Sequence, residues 1–285
     1  MVTECAAVSI LFCGTALGRR IEHAEAALIG AAVGAARHRG TEGFALPVAG
    51  GLAAFAEPGA PFNKVVGLGF GGVPTAAEFD AVERAYAERG SPTPVELSTL
   101  ADPRIAELLG ARGYRAVAFE DVLGRTLGGH SAGQAPADIE VRPASEHELD
   151  AWVDVVVQGF AHPDGEGVPS PEEFPREVVA RAERDFAGAG VTPYLAVLDG
   201  HIAGGGSMRV TDGVAQLTGA ATAPADRRRG VQGALLAARL HDAEAAGADI
   251  AVVTTAPGSL SQRNVQRRGF HLLYTRAILV RAAGQ

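Results

Sequence analysis

Cysteine is nearly missing from this chain: two thiols, Cys5 and Cys13, among 285 residues. So low a count excludes a disulfide-stapled scaffold, and two free thiols fit a reducing, cytoplasmic setting. Aromatic residues make up 6% of the sequence, with one tryptophan, which argues against platforms that stack the bases of single-stranded nucleic acid. Positive charge is also scarce. Lys and Arg number 25 against 33 Asp and Glu, for a formal net charge of −8. A general nucleic-acid binder needs the opposite balance to displace counterions from phosphates. No apolar run approaches the roughly 20 residues of a membrane-crossing helix. The early stretch "CAAVSILFCGTAL" is apolar, but Glu4 precedes it and no Lys or Arg does, so the basic n-region of a secretory signal is missing. The expectation is a cytoplasmic globular protein, monomer or homodimer, that binds neither nucleic acid nor membrane.

What is present is enough apolar material for a large core, at 47% hydrophobic and 20% charged residues. The length allows one large domain or two ordinary ones. The stretch "TLGGHSAGQAPAD" (126–138) lacks periodic apolar residues and reads as a linker. It divides the chain into 1–127, a linker at 128–138, and 139–285. In the second part, 139–145 reads as a strand. Leu149, Trp152, Val153 and Val156 give 146–160 helical spacing. Residues 175–190 form a second helix, and 194–210 a hairpin turning at Asp199-Gly200. A strand at 214–222, a helix at 227–246, a β-rich run at 249–256, a short helix at 259–268 and a last strand at 270–281 complete it.

The two halves echo each other. Residues 95–125 lie over 251–281 without a gap, placing Arg112-Gly113-Tyr114 over Arg268-Gly269-Phe270, Leu123 over Leu279 and Arg125 over Arg281. The same register sets the helical run 74–90 over the helix that starts at Gly230. It also shows a loss. Arg227, Arg228, Arg229 and Gly230 fall on Gly71, Gly72, Val73 and Pro74, so the first half keeps neither the charges nor, at Pro74, the N–H.

The densest basic run of this acidic chain, "RRRGVQGALL" (227–236), sits where a strand passes through a short loop into a helix. A helix start carries unpaired N–H groups and positive dipole, and with a glycine before it becomes an anion site. Arginines are opposed by the dipole there, unless a bound anion offsets the repulsion. Solvated arginines at a helix end are the competing reading.

Residues 227–234 resemble the acyl-CoA loop of the GNAT acyltransferase superfamily, (Gln/Arg)-x-x-Gly-x-(Gly/Ala). Arg227 takes the first place and Gly230 the fourth; the sixth is Gln232, with Gly233 just after. The order of elements over 139–281 and the closing stretch "SQRNVQRRGF" are similar to the same family. The chain as a whole resembles a tandem GNAT protein whose first half is degenerate. The resemblance implies an α/β fold: two tandem domains, each a mixed, mostly antiparallel sheet flanked by helices. It implies acetyl-CoA or another acyl-CoA as co-substrate, and no metal. Backbone N–H groups of Arg228, Arg229, Gly230, Val231, Gln232 and Gly233 would hold the pyrophosphate, with Arg227 beside them. The strand backbone near Ala220, Ala221 and Thr222 would line pantetheine. Ser261 and Asn264 would contact the cofactor or support the short helix.

The reaction that the resemblance implies is direct attack of a small-molecule amine on the thioester carbonyl. The family's strand Glu is matched by Gln216, and its usual Tyr and early Asn positions hold Val265 and Gly258. Tyr274 on the last strand is a candidate substitute acid if it reaches the cleft, and a packed strand aromatic otherwise. Asp164 and Glu166 in an acidic loop, with His162 and His201, are further titratable candidates, while Trp152 and Phe160 read as core. Three functions stay open: an acyl-CoA-dependent N-acyltransferase, an acyl-CoA-holding protein without turnover, and an acyl-CoA decarboxylase or hydrolase on the same fold.

Overall fold

The computed structural model describes residues 11–128, 138–162, 167–168 and 174–281. Cys5, Asp164 and Glu166 lie outside them, as does most of the expected linker. In the first half a long helix, α1 (Thr15–His38), precedes β1 (Phe44–Val48), β2 (Gly51–Phe55) and β3 (Lys64–Val66). Then come α2 (Ala76–Ala87), β4 (Thr93–Ser98), α3 (Pro103–Ala111) and β5 (Arg115–Thr126). The second half has β6 (Ile139–Pro143), α4 (Leu149–Ala161), α5 (Arg176–Gly188), β7 (Thr192–Leu198), β8 (His201–Thr211) and β9 (Val214–Thr222). It ends with α6 (Val231–Ala245), β10 (Ile250–Thr255), α7 (Leu260–Gln266) and β11 (His271–Arg281). Strands and helices of the second half fall close to where the sequence puts them. The main shift is at α6, which starts at Val231 rather than 227. Arg228 (φ 64°) and Gly230 (φ 92°) are left-handed, a conformation that no α-helix continues through.

All the strands among the described residues join one mixed sheet of eleven, in the order β1-β2-β3-β4-β11-β5-β10-β9-β8-β7-β6. The halves are not laid side by side. The last strand of the chain, β11, pairs with β4 of the first half, and β5, the first half's last strand, pairs with β10 of the second. β5 and β11 pair with each other between them. The two halves thus exchange their final strands, the same two segments that the internal repeat aligns.

One face of the sheet carries α6 and α7 over the second half and α2 and α3 over the first. Leu235, Leu240, Ala251 and Phe270 fill the former core, and Phe79, Tyr86, Ile105 and Leu109 the latter. The other face carries α1, α4 and α5. The α1 residues Ile21, Ala24, Leu28, Ile29, Ala32 and Val33 are buried at helical spacing. They meet α5 through Val178 and Ala182, and the central strands through Val122, Val252 and Tyr274. α1 of the first half therefore roofs strands of the second.

Candidate functional site

β9 and β10 run parallel, and their pairing stops early. Val214, Ala215 and Gln216 face Ile250, Ala251 and Val252. Beyond these β9 continues to Thr222 and β10 to Thr255 without pairing to each other, although β8 and β5 hold their outer edges. The result is a wedge that opens from Gln216/Val252 toward the strand ends. In the wall formed by β9 the ladder is irregular: Ser207 pairs with Thr218, Gly205 with Ala221, and the residues between are out of register. This is a β-bulge, and Gly219 within it has φ 56°. Arg239 of α6 props the bulge from below, donating to the carbonyls of Ser207 (3.0 Å) and Thr218 (3.3 Å). The guanidinium is deeply buried, and burial lowers its pKa to about 10.

The loop after β9 delivers the chain to the mouth of the wedge. Gly230 is the N-cap of α6 and supplies no side-chain cap. The first helical N–H accepted within the helix belongs to Ala234, which donates to the Gly230 carbonyl at 3.0 Å. Among the described residues, the N–H groups of Val231, Gln232 and Gly233 are thus the unpaired ones of a helix start. No acidic residue stands in the first turn. α2, the repeat counterpart, is finished differently: Thr75 and Glu78 form a capping box, and Glu78 accepts from the Thr75 N–H at 2.7 Å. Its leading loop is also closed. A Cβ on Gly71 would lie 2.7 Å from the Gly50 Cα, so backbone of the β1–β2 turn occupies the approach.

The three arginines have different fates. Arg229 pairs with Asp199 of the β7–β8 turn at 2.7 Å and with Asp226 at 3.1 Å. Asp226 is buried and also meets His201 Nε2 at 3.0 Å. Arg227 donates to the His162 carbonyl at the end of α4. These two fasten the loop to the hairpin and to α4. Arg228 is exposed, and among the described residues it has no partner. Gln232 accepts from Asn264 Nδ2 at 2.6 Å, tying α6 to α7, and the end of Arg268 lies over Gly233. Ser261 is exposed on α7; Ser259 caps that helix, accepting from the Gln262 N–H at 3.1 Å. Ala221 packs against Gly159 of α4, and Thr222 pairs with Gly204.

Gln216 and Tyr274 are on the opposite face, beneath α1. Gln216 is buried at the apex of the wedge and donates to Glu25 at 3.0 Å; its amide oxygen is buried without a hydrogen bond. Tyr274 is buried and donates to Glu22 at 2.7 Å, while Arg276 reaches the same Glu22 oxygen at 2.8 Å. Burial, then the Glu22 charge, pushes the Tyr274 pKa well above its ordinary value. Phe160, expected in the core, is 46% exposed, because it stands on the outer side of the last turn of α4; Trp152 is buried, as expected. Sequence reading missed Glu183 of α5. It is buried against the bulge, its Oε2 lies 3.4 Å from where a Gly219 Cβ would be, and burial raises its pKa to about 7. It also missed Asp121, which accepts from Gln262 and Thr275, both at 2.7 Å, and so locks α7 to β5 and β11.

Residues 160–270, which span the bulge, the wedge, the open helix start and α7, match the family model described as acetyltransferase (GNAT) family. Over that stretch the chain is similar to the GNAT family. No curated protein matches the sequence. Among solved structures, a GCN5-related N-acetyltransferase from Kribbella flavida is similar at TM-score 0.66 and 19% identity, over 93% of this chain and 96% of that one. A tandem GNAT protein from the clavulanic acid biosynthesis pathway is similar at TM-score 0.56 and 15% identity, over 81% of this chain and 74% of that one. At these identities the likeness is one of fold. It extends through both halves, as a mixed GNAT sheet flanked by helices.

Proposed function

We propose that the protein is an acyl-CoA-dependent N-acyltransferase, taking an acetyl group from acetyl-CoA to a small-molecule amine at a site in the second half. One arrangement carries the reading: a strand wedge opening onto a helix start that the chain itself leaves uncapped. Three unpaired N–H groups, no acidic first-turn residue and an unengaged Arg228 fit a phosphate-bearing donor. Bound there, the donor supplies an acyl thioester. The chain's part is to hold and polarise. Amides of Val231, Gln232 and Gly233 take the pyrophosphate, with Arg228 adding charge. The unpaired edge of β9 at Ala220, Ala221 and Thr222 lines the arm that enters the wedge. A backbone N–H turned inward by the bulge stabilises charge on the carbonyl oxygen. Asn264, through Gln232, fixes α7 against the loop. Gln216 keeps an amide oxygen at the apex for a ligand donor, and Tyr274 acts at one remove by holding Glu22.

We further propose that residues 1–127 are the half without a cofactor loop and 139–285 the half that binds acyl-CoA. The first half contributes β5, which borders β10, and α1, which covers Gln216 and Tyr274. The test is release of CoA thiol from acetyl-CoA by the full chain, with and without an amine panel. Amine-dependent release supports the proposal. Release without any amine would make the protein a hydrolase, and tight acetyl-CoA binding with no release would make it a holding protein.

A further inference from the structure

Glu183 has no assigned partner and stands beside the site. It is 7% exposed, on the buried side of α5. Among the described residues no side chain or backbone group donates to its carboxylate. A Cβ built on Gly219 would lie 3.4 Å from Glu183 Oε2, 2.8 Å from the Ser207 hydroxyl and 3.6 Å from the Trp152 ring, and that hydroxyl is 2.8 Å from Thr218 Oγ1. Charged groups on the elements around it are occupied elsewhere. On α5, Arg181 holds Glu57 at 3.0 Å, Arg184 holds Asp150 at 2.8 Å, and Asp185 takes Arg39 at 2.8 Å. On α1, Glu25 takes Gln216. Arg239 of α6 reaches the bulge from the opposite face of the sheet.

A buried, unpaired carboxyl costs stability unless it is neutral. Here burial alone raises its pKa to about 7, so it is part ionised near neutrality, the condition in which a carboxylate works as a base. A larger residue than glycine at position 219 would fill the space between Glu183 and the bulge, since a Cβ there already falls 2.8 Å from Ser207 Oγ. The glycine thus keeps the carboxylate next to the backbone that lines the wedge.

We propose that Glu183 is the proton acceptor for the attacking amine, an inference that rests on the acyl-transfer reading above. In that role a C–N bond forms at the acyl carbon and the C–S bond breaks, its electron pair leaving on sulfur. The proton on nitrogen passes to a Glu183 carboxylate oxygen, directly or through one water.

The test uses the full chain with acetyl-CoA and a panel of spermidine, tyramine, glycinamide and kanamycin, comparing wild type with Glu183→Gln and Glu183→Asp. Glu183→Gln is expected to lower kcat by roughly 10²–10⁴-fold, with acetyl-CoA affinity unchanged and Glu183→Asp in between. The rise of the wild-type rate through neutral pH is expected to vanish in Glu183→Gln. Independently of turnover, an infrared carboxyl band present in wild type and absent from Glu183→Gln should titrate near neutrality and shift when acetyl-CoA binds. Transfer by Glu183→Gln at the wild-type rate and with the wild-type pH profile overturns this proposal alone, as does a carboxyl band indifferent to bound acetyl-CoA. Failure of wild type to use any amine overturns the acyl-transfer reading and this proposal together.

Discussion

Replacing Glu183 by glutamine is expected to flatten the protein's stability as a function of pH. In the unfolded chain this carboxyl titrates at its ordinary value of 4.5, and in the folded chain at about 7. A folded pKa above the unfolded one means that the group's contribution is fully present below pH 4.5 and declines as pH rises, with the loss complete above about pH 7. Each tenfold difference in proton affinity between the two states is worth about 1.4 kcal/mol, so the loss is ~3 kcal/mol. Glutamine carries no titrating proton, so its cost is constant. Urea unfolding of both proteins between pH 4.5 and 8 isolates the effect as a difference. Glu120 also titrates at about 7, through burial and then the Glu96 charge, but it is common to both proteins and cancels. The variant should gain ~3 kcal/mol on wild type between the ends of the range. A difference that does not change with pH would refute the reasoning, since it would mean that the folded carboxylate is solvated or paired.

Arg276→Ala should destabilise by about 3–5 kcal/mol, because it leaves the buried Glu22, which Arg276 meets at 2.8 Å, without a cation, while Glu96 keeps Lys64 at 2.6 Å; thermal unfolding measures it. Gly230→Val puts a β-branched residue at φ 92° and should cost on the order of 1–3 kcal/mol while weakening acetyl-CoA binding in calorimetry. Arg228→Ala should weaken acetyl-CoA binding most at low salt and leave the melting temperature unchanged, because this arginine has no partner among the described residues. Expressed separately, 1–137 and 138–285 should each be unfolded or aggregated by circular dichroism and size-exclusion chromatography, because β5 and β11 each lie in the other half's sheet.

The loop was legible in the sequence because its signals are local. Three arginines, Gly230 and an apolar helical run are contiguous, and the strand before them ends where periodicity ends. The repeat was legible for the same reason, since 95–125 and 251–281 align without gaps. The exchange of β5 and β11 was not. Both segments have a similar pattern and nearly equal length, 12 and 11 residues, so either could fill either place in the sheet, and only tertiary pairing chooses. The partners of Arg229 show a similar limit: Asp226 is one turn away in sequence, but Asp199 lies across a hairpin. Glu183 was hidden in "REVVARAERDFAG", where charged residues alternate with apolar ones and an acidic residue reads as solvated. The one local signal was Gly219, an isolated glycine inside a strand, which marks a bulge. Tyr274 was placed on the right strand, but no local pattern reveals that α1, more than 230 residues earlier, covers it and supplies Glu22.

The central claim is that the wedge between β9 and β10, with the start of α6, holds the acyl donor in the second half alone. Amide hydrogen exchange on the full chain with saturating acetyl-CoA tests it most directly. The amides at 217–222 and 231–233 should be protected, with those at 71–76 unchanged. Protection at 71–76, or none at 231–233 while acetyl-CoA is bound, would contradict it.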